Sequence, residues 1–248
     1  MTGILYLIPN TLGEDSGAHT LTGIIPQQVQ SISASLDYFI AENAKSTRAY
    51  LKLLATHQPL SKPLQLIQIS ELNINTPASE LPALLEPLLQ GRDAGLISEA
   101  GVPAVADPGA NLVRLAHQHQ IRVRPLVGPS SLLLGLMASG LNGQSFAFHG
   151  YLPTDAAQRQ KRLKDLEQRS HQEQQTQLFI ETPYRNAALL EAICQSCQAD
   201  TLVCVATDLS LSTEAVRTQS VAQWRKQIAA QGVPDFHKKP TVFLFLAS

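Results

Sequence analysis

Short apolar runs rich in β-formers alternate with helix-period segments along nearly the whole chain, and this alternation restricts the fold more than any other feature. The runs Ile4–Ile8, Tyr38–Ala41, Leu64–Ile69, Ala94–Ser98 and Arg122–Val127 read as strands. So do Phe146–Tyr151, Gln177–Glu181, Leu202–Ala206 and Thr241–Leu246. Between them lie helical patterns of about 10–15 residues. One carries Leu81, Leu84, Leu85, Leu88 and Leu89; another Leu112, Val113, Leu115 and Ala116; a third Leu189, Leu190 and Ile193. Alternating β and α segments predict an α/β fold with helices on the faces of the sheets. At 248 residues, two such units fit, with a boundary near residues 125–130 that separates domains 1–126 and 127–248.

Composition removes several classes. Hydrophobic residues make up 44% against 16% charged, a globular balance that argues against disorder. The longest apolar stretch, Leu132 to Leu141, falls far short of the roughly 18–20 residues of a membrane span. The run from Met1 to Pro9 has no Lys or Arg before its apolar part and no small-residue cleavage site, so it reads as a first strand rather than a signal peptide. Nineteen basic and twenty acidic residues leave a net charge of −1, which argues against bulk capture of nucleic acid but not against a local basic patch. The stretch from Pro153 to Gln177 is such a candidate, with Arg159, Lys161, Arg162, Lys164 and Arg169 and only two large apolar residues, Leu163 and Leu166; a solvated helix is the plainer reading.

Familiar catalytic motifs are missing. The chain contains no G-x-G-x-x-G, P-loop, H-E-x-x-H or G-x-S-x-G. Three cysteines suit a reducing cytoplasm, and Cys194 and Cys197 sit late in a helical pattern where packing is the expectation. His117 and His119 are two apart, so a helix cannot aim both at one metal. No metal site is expected. Trp224, alone in an amphipathic pattern, reads as core, although it and the turn Phe236–Lys239 are the aromatic and basic residues that could touch RNA.

What remains is turn chemistry that repeats. Ser98 to Gly109 follows a strand directly and is pinned by Gly101 and Pro103, and Asp107 before Pro108 predicts a helix start with the aspartate as its cap. Val127 to Ser131 and Glu181 to Arg185 repeat the design. Ligands of open α/β sheets bind at the carboxyl ends of strands, where such loops lie. Ordinary tight connections explain any one of them, but three together less well.

The segment Gly95–Pro103 followed by Ala106-Asp107-Pro108-Gly109 resembles the S-D-A-G-T-P…S-D-P-G signature of the tetrapyrrole methylase superfamily, the class III S-adenosylmethionine-dependent methyltransferases. Leu5–Pro9, Val127–Ser130, Ala138–Leu141, Gly150–Pro153 and Glu181–Arg185 match in register, most closely with the small-subunit ribosomal RNA ribose 2′-O-methyltransferase branch. The resemblance covers nearly the whole chain. It implies two α/β domains with a cofactor cleft between them, a homodimer, S-adenosylmethionine as cofactor with S-adenosylhomocysteine as product, and ribosomal RNA or the small ribosomal subunit as cytoplasmic partner rather than DNA or membrane. Carried over residue by residue, Pro9, Ser98, Ala100, Gly101, Val102, Ala106, Asp107, Pro129, Ser130 and Ser131 fall at cofactor-facing positions, and Glu181, Thr182, Pro183 and Tyr184 complete that set.

The acceptor side departs from the branch pattern. Asn10–Glu14 stands where the branch has T-P-I-G-N, and Glu42–Arg48 stands where it has E-D-T-R-x-T-R, with Asn43 and Lys45 replacing an acid and an arginine. Glu42 and Arg48 survive as candidate catalytic residues, though an ion pair at a helix start is the competing reading. Ile69–Asn73 lacks the branch's histidine, and Glu99 replaces the aspartate of S-D-A-G. Asn cannot act as a base, and Lys lacks the arginine fork. Three readings follow: an RNA ribose methyltransferase, a methyltransferase for a tetrapyrrole or other small molecule, and a degenerate paralogue that binds cofactor or RNA without catalysis.

Overall fold

The computed structural model describes residues 2–13 and 19–248 and is α/β throughout. Glu14, the last residue of the first departing segment, lies outside the described residues. The chain divides into two compact units, Met1–Ser130 and Ser131–Ser248. Among the described residues no helix is long and apolar enough to cross a membrane.

The first unit is a five-stranded parallel sheet, β1 (Ile4–Ile8), β2 (Tyr38–Ala41), β3 (Gln68–Glu71), β4 (Ala94–Ile97) and β5 (Arg122–Pro125), in the order β3-β2-β4-β1-β5. Parallel strands are buried on both faces, so alternate residues feed two cores. Tyr6, Ile8, Phe39 and Ala41 pack with α1 (His19–Ile24), α2 (Gln27–Ser35) and α3 (Ala44–Leu54). Leu5, Tyr38, Ile40 and Leu96 pack with α4 (Leu81–Leu89) and α5 (Ala110–Gln118) on the other face. Right-handed crossovers require this split, because β1→β2 and β4→β5 run toward opposite edges of the sheet.

One strand differs from expectation. Leu64–Leu66 is a 3-10 turn after Pro63, and pairing begins only where Gln68 meets Tyr38. Proline fixes φ in the turn, and Leu64 packs into the first core instead of entering the sheet.

The second unit is a mixed sheet of β6 (Phe146–Tyr151), β7 (Thr176–Glu181), β8 (Leu202–Thr207), β9 (Ala215–Ser220) and β10 (Thr241–Leu246), ordered β6-β7-β10-β8-β9. Only β6 and β7 are parallel. Phe179, Phe243 and Phe245 cluster on one face, with Phe179 stacked on Phe243 at 6.3 Å and edge-on to Phe245 at 5.5 Å. Against them pack α7 (Ala156–Glu173), α8 (Asn186–Ser196) and α9 (Val221–Gln231). Trp224 is 1% exposed and donates its indole N–H to Val203 O at 2.9 Å, and Phe236 is buried against Phe243, so both are core. Cys194 and Cys197 are buried in the same core, where burial pushes both thiols up, Cys194 to about 11. On the opposite face α6 (Ser131–Ser139) sets Gly135 close to Ala206, Val242 and Leu244.

The sequence reading does not include β9. Its run Ala215–Ser220 is polar in alternation and half-exposed, and antiparallel pairing with β8 stabilises it at the sheet edge.

Candidate active site

In the first unit the loops after all five strands leave from one edge of the parallel sheet, with β1 between β4 and β5. The connections from β1 and β4 depart in opposite directions, so this is the topological switch point where open α/β sheets bind ligands. Pro9, Ser98, Ala100, Gly101, Val102, Ala106, Asp107, Pro129 and Ser130 all belong to these loops.

Asn10 ties the β1 and β4 loops together. Its backbone N–H donates to Gly101 O at 2.8 Å, and its Nδ2 donates to Glu99 O at 3.0 Å and Ser98 O at 3.3 Å. The third loop closes on the first through Gly128, where a Cβ would stand 2.1 Å from Pro9 Cβ; any side chain there would displace Pro9. A Cβ on Gly101, at φ +69°, would come within 3.2 Å of Leu12 Cδ2 and 3.6 Å of Pro129 O. The β4 loop also holds Ala104 and Ala106 at φ 67° and 63°. Alanine in the left-handed region is strained by about 1–2 kcal/mol, and such strain persists where the surroundings over-determine it, often at functional sites.

Asp107 does not cap α5. The helix begins at Ala110 with Gly109 as its N-cap at φ 128°, and no side chain caps it. The Asp107 carboxyl instead lies within electrostatic reach of Glu42 and Glu99. Its pKa is pushed up to about 6, first by burial and then by the negative charge of Glu42, against a hydrogen bond with Ser98, with Glu99 adding to the rise. Glu42 itself is held by the Glu99 N–H, which donates to its Oε2 at 3.0 Å, and its own N–H donates to Ile97 O at 3.0 Å.

The first turn of α3 accounts for the Glu42–Arg48 segment. Asn43 is the N-cap, its Oδ1 accepting from Lys45 N at 2.8 Å and Ser46 N at 3.4 Å, while Glu71 Oε1 accepts from Ala44 N at 3.0 Å. Arg48 is exposed and forms no ion pair among the described residues, so the ion pair with Glu42 is not present. Beside this edge, a pocket of about 370 Å³ lies between the β3–α4 connection and the start of α5, with Asn73, Thr76, Leu81, Asp107, Asn111 and Leu112 on its walls.

The second unit carries the other predicted residues. Ser131 is the first residue of α6. Glu181 ends β7, buried, with its Oε1 accepting from Thr182 N at 2.7 Å and from Arg185 Nη2 at 2.6 Å and Nε at 3.0 Å. That clamp shapes the turn Pro183–Arg185 and leaves Tyr184 83% exposed. The candidate basic face is α7. Arg159 folds back onto Pro153 O and Thr154 O, and Arg169 pairs with Glu173. Lys161 and Lys164 stand exposed, and Arg162 reaches His149 Nδ1 at 3.4 Å. His149 Nε2 is 2.6 Å from Gln177 Oε1, an arrangement that assigns the proton to Nε2; burial lowers its pKa.

Sequence reasoning did not single out Asn10, Asn73, Asn111 or His149. Asn10 and Asn73 had a signal, since each stands in a segment that departs from the branch pattern; Asn111 and His149 carry none outside the tertiary structure. Among the described residues no group of three His, Cys, Asp or Glu is arranged to hold a metal ion.

No family model matches the chain. The ribosomal RNA small subunit methyltransferase I of Vibrio cholerae is 30% identical over 243 residues, covering 98% of this chain and 76% of that protein. Its namesake from Streptococcus pyogenes serotype M1 is 30% identical over 224 residues, 90% of this chain and 70% of the relative. Among solved structures, the methyltransferase CobJ superposes with a TM-score of 0.63 at 15% identity, covering 100% of this chain and 95% of the other. Uroporphyrin-III-C-methyltransferase from Thermus thermophilus superposes with a TM-score of 0.53 at 15% identity, covering 99% and 93%. These structures share the fold, and the sequence relatives share identity along nearly the full length. The chain therefore belongs to the ribosomal RNA small subunit methyltransferase I family, and it is a methyltransferase.

Proposed function

We propose that the chain transfers a methyl group from S-adenosylmethionine to a ribose 2′-hydroxyl of small-subunit ribosomal RNA, in the cytoplasm and as a homodimer. The observation that carries this reading is the 30% identity to ribosomal RNA methyltransferases over 98% of the chain. The β4 loop suits a sulfonium cofactor. It holds Gly101, Ala104 and Ala106 at positive φ, most of its side chains are small, and the Glu42, Glu99 and Asp107 carboxyls contribute a negative field. The cofactor brings the methyl group and its own leaving group, so this chain's residues mainly position the acceptor.

A ribose hydroxyl must lose its proton as its oxygen attacks. Glu42, oriented by the Glu99 N–H, is the carboxylate assigned to take it, with Asp107 beside it as a second acid titrating near neutrality. Arg48, exposed and without an ion pair among the described residues, is assigned to a backbone phosphate. Pro9, Ser98, Ala100, Gly101, Val102, Ala106, Pro129, Ser130 and Ser131 are assigned to the cofactor, joined by Glu181, Thr182, Pro183 and Tyr184. Asn43 caps a helix with its side chain, a task Asn and Asp perform equally, and this weakens the chief motive for a degenerate paralogue.

The decisive experiment is a nucleoside mass-spectrometric map of small-subunit RNA from a strain lacking the chain. One ribose methyl should disappear, return with the unaltered chain, and stay missing with Gly101→Trp, whose indole would collide with Leu12 and Pro129. An unchanged map would overturn the ribosomal assignment.

A further inference from the structure

The pocket beside Asp107 has a donor pattern that none of the described residues uses. Asn73 Oδ1 accepts from the Asn75 N–H at 2.9 Å, and Asn111 Oδ1 accepts from Arg114 Nη2 at 2.8 Å. Both partners are obligate donors, so each amide must present its oxygen inward to them. Neither Nδ2 has a partner among the described residues, and both asparagines line the pocket. The remaining wall combines the exposed Ile74 with Ala106 and Asp107 of the β4 loop, over the buried Leu81 and Leu112.

We propose that this pocket is a nucleobase-recognition site in which Asn73 and Asn111 donate to an acceptor-bearing base edge of the RNA, an assignment that rests on the RNA reading above. A base offers what these walls complement: flat apolar faces for Ile74, neighbouring acceptor atoms for two amide donors, and an exocyclic amine for a carboxylate. A phosphate is disfavoured, because Asp107 would face it with Glu42 and Glu99 in electrostatic reach. A ribose lacks the flat apolar faces. In both amides Oδ1 is held by an internal partner, so the NH2 donor is the readable group. Asn73 and Asn111 are specificity-determining residues in this scheme; they stand outside the cofactor loops, and Ala106 and Asp107 of the β4 loop share the pocket wall with them.

The test exchanges donor for acceptor without changing shape. Asn73→Asp and Asn111→Asp each keep Oδ1 for the internal partner and replace the NH2 with an oxygen. The substrates are small-subunit RNA and a set of the same RNA altered one base at a time around the methylated nucleotide. With the unaltered chain, methyl transfer should depend strongly on the base at one position. Each variant should raise the RNA KM about tenfold or more. Each should also lose that base preference, while kcat at saturating RNA changes by less than about threefold and cofactor affinity by calorimetry stays unchanged. A merely structural role would leave the preference intact. Retained preference with unchanged KM overturns the pocket assignment alone. Weakened cofactor affinity with an unchanged RNA KM also overturns it, by placing the cofactor in the pocket. If the unaltered chain methylates no RNA, the functional reading and the pocket assignment fall together.

Discussion

Asp107 is harder to ionise in the folded protein than in the unfolded chain, because burial and the neighbouring Glu42 charge both disfavour the carboxylate. Its folded pKa near 6 lies above the unfolded value of 3.8, so the folded state binds the proton more tightly. The resulting stabilisation is complete below about pH 3.8 and is lost as pH rises through about 6. Asp107→Asn should therefore raise the melting temperature at pH 8 and leave it unchanged at pH 4. Solvent screening of this half-buried group limits the gain to about 1 kcal/mol. The same substitution should remove from the pH–rate profile a step near pH 6, measured as methyl transfer at saturating RNA. The sequence marked Asp107 as special but for another reason. A D-P pair predicts a cap, and only the glycine at φ 128° two residues later moves the helix start past it.

At the scale of elements, α3 shows how a motif departure is absorbed. Asn43 satisfies two free N–H groups of the first turn and Glu71 a third. Asn43→Ala should lower unfolding stability by about 1 kcal/mol in urea titration, whereas Asn43→Asp should stay within a few tenths of that of the unaltered protein. Equal methyl transfer by the Asn and Asp forms would support the capping role; a large gain with Asp would assign the position to catalysis. Strand and helix identities were readable where period was strong. Ile4–Ile8, Tyr38–Ala41, Phe146–Tyr151 and Thr241–Leu246 end where the apolar runs do. The edge strand β9 was not readable, because half-exposed pairing leaves no apolar signature.

Over the whole molecule, a net charge of −1 means that RNA contact depends on where the basic residues stand. On α7, Lys161, Arg162 and Lys164 are exposed, whereas Arg159 and Arg169 are engaged within the protein. Reversing Arg162 and Lys164 to Glu should weaken RNA binding and make log K against log salt shallower by about 1–2 units, measured by filter binding from 50 to 200 mM salt. An unchanged slope would remove this face from the RNA path. Leu133 and Met137, one turn apart on α6 and exposed at 52% and 78%, are apolar surface that dimerisation would cover, and sedimentation equilibrium reads that directly.

Period and turn chemistry in the sequence were enough to determine an α/β fold and to locate the loops after β4, β5 and β7, because hydrophobic alternation and Gly or Pro backbone limits are local properties. The same local reading could not see what is made by residues far apart in the chain. Asn10 reaching Glu99, Glu42 raising the pKa of Asp107, and Asn73 facing Asn111 across a pocket are all such pairings. Each depends on strand order β3-β2-β4-β1-β5, which brings distant loops to one edge of the sheet. Charge and hydrogen-bond valence act through space, so only the tertiary structure could decide them.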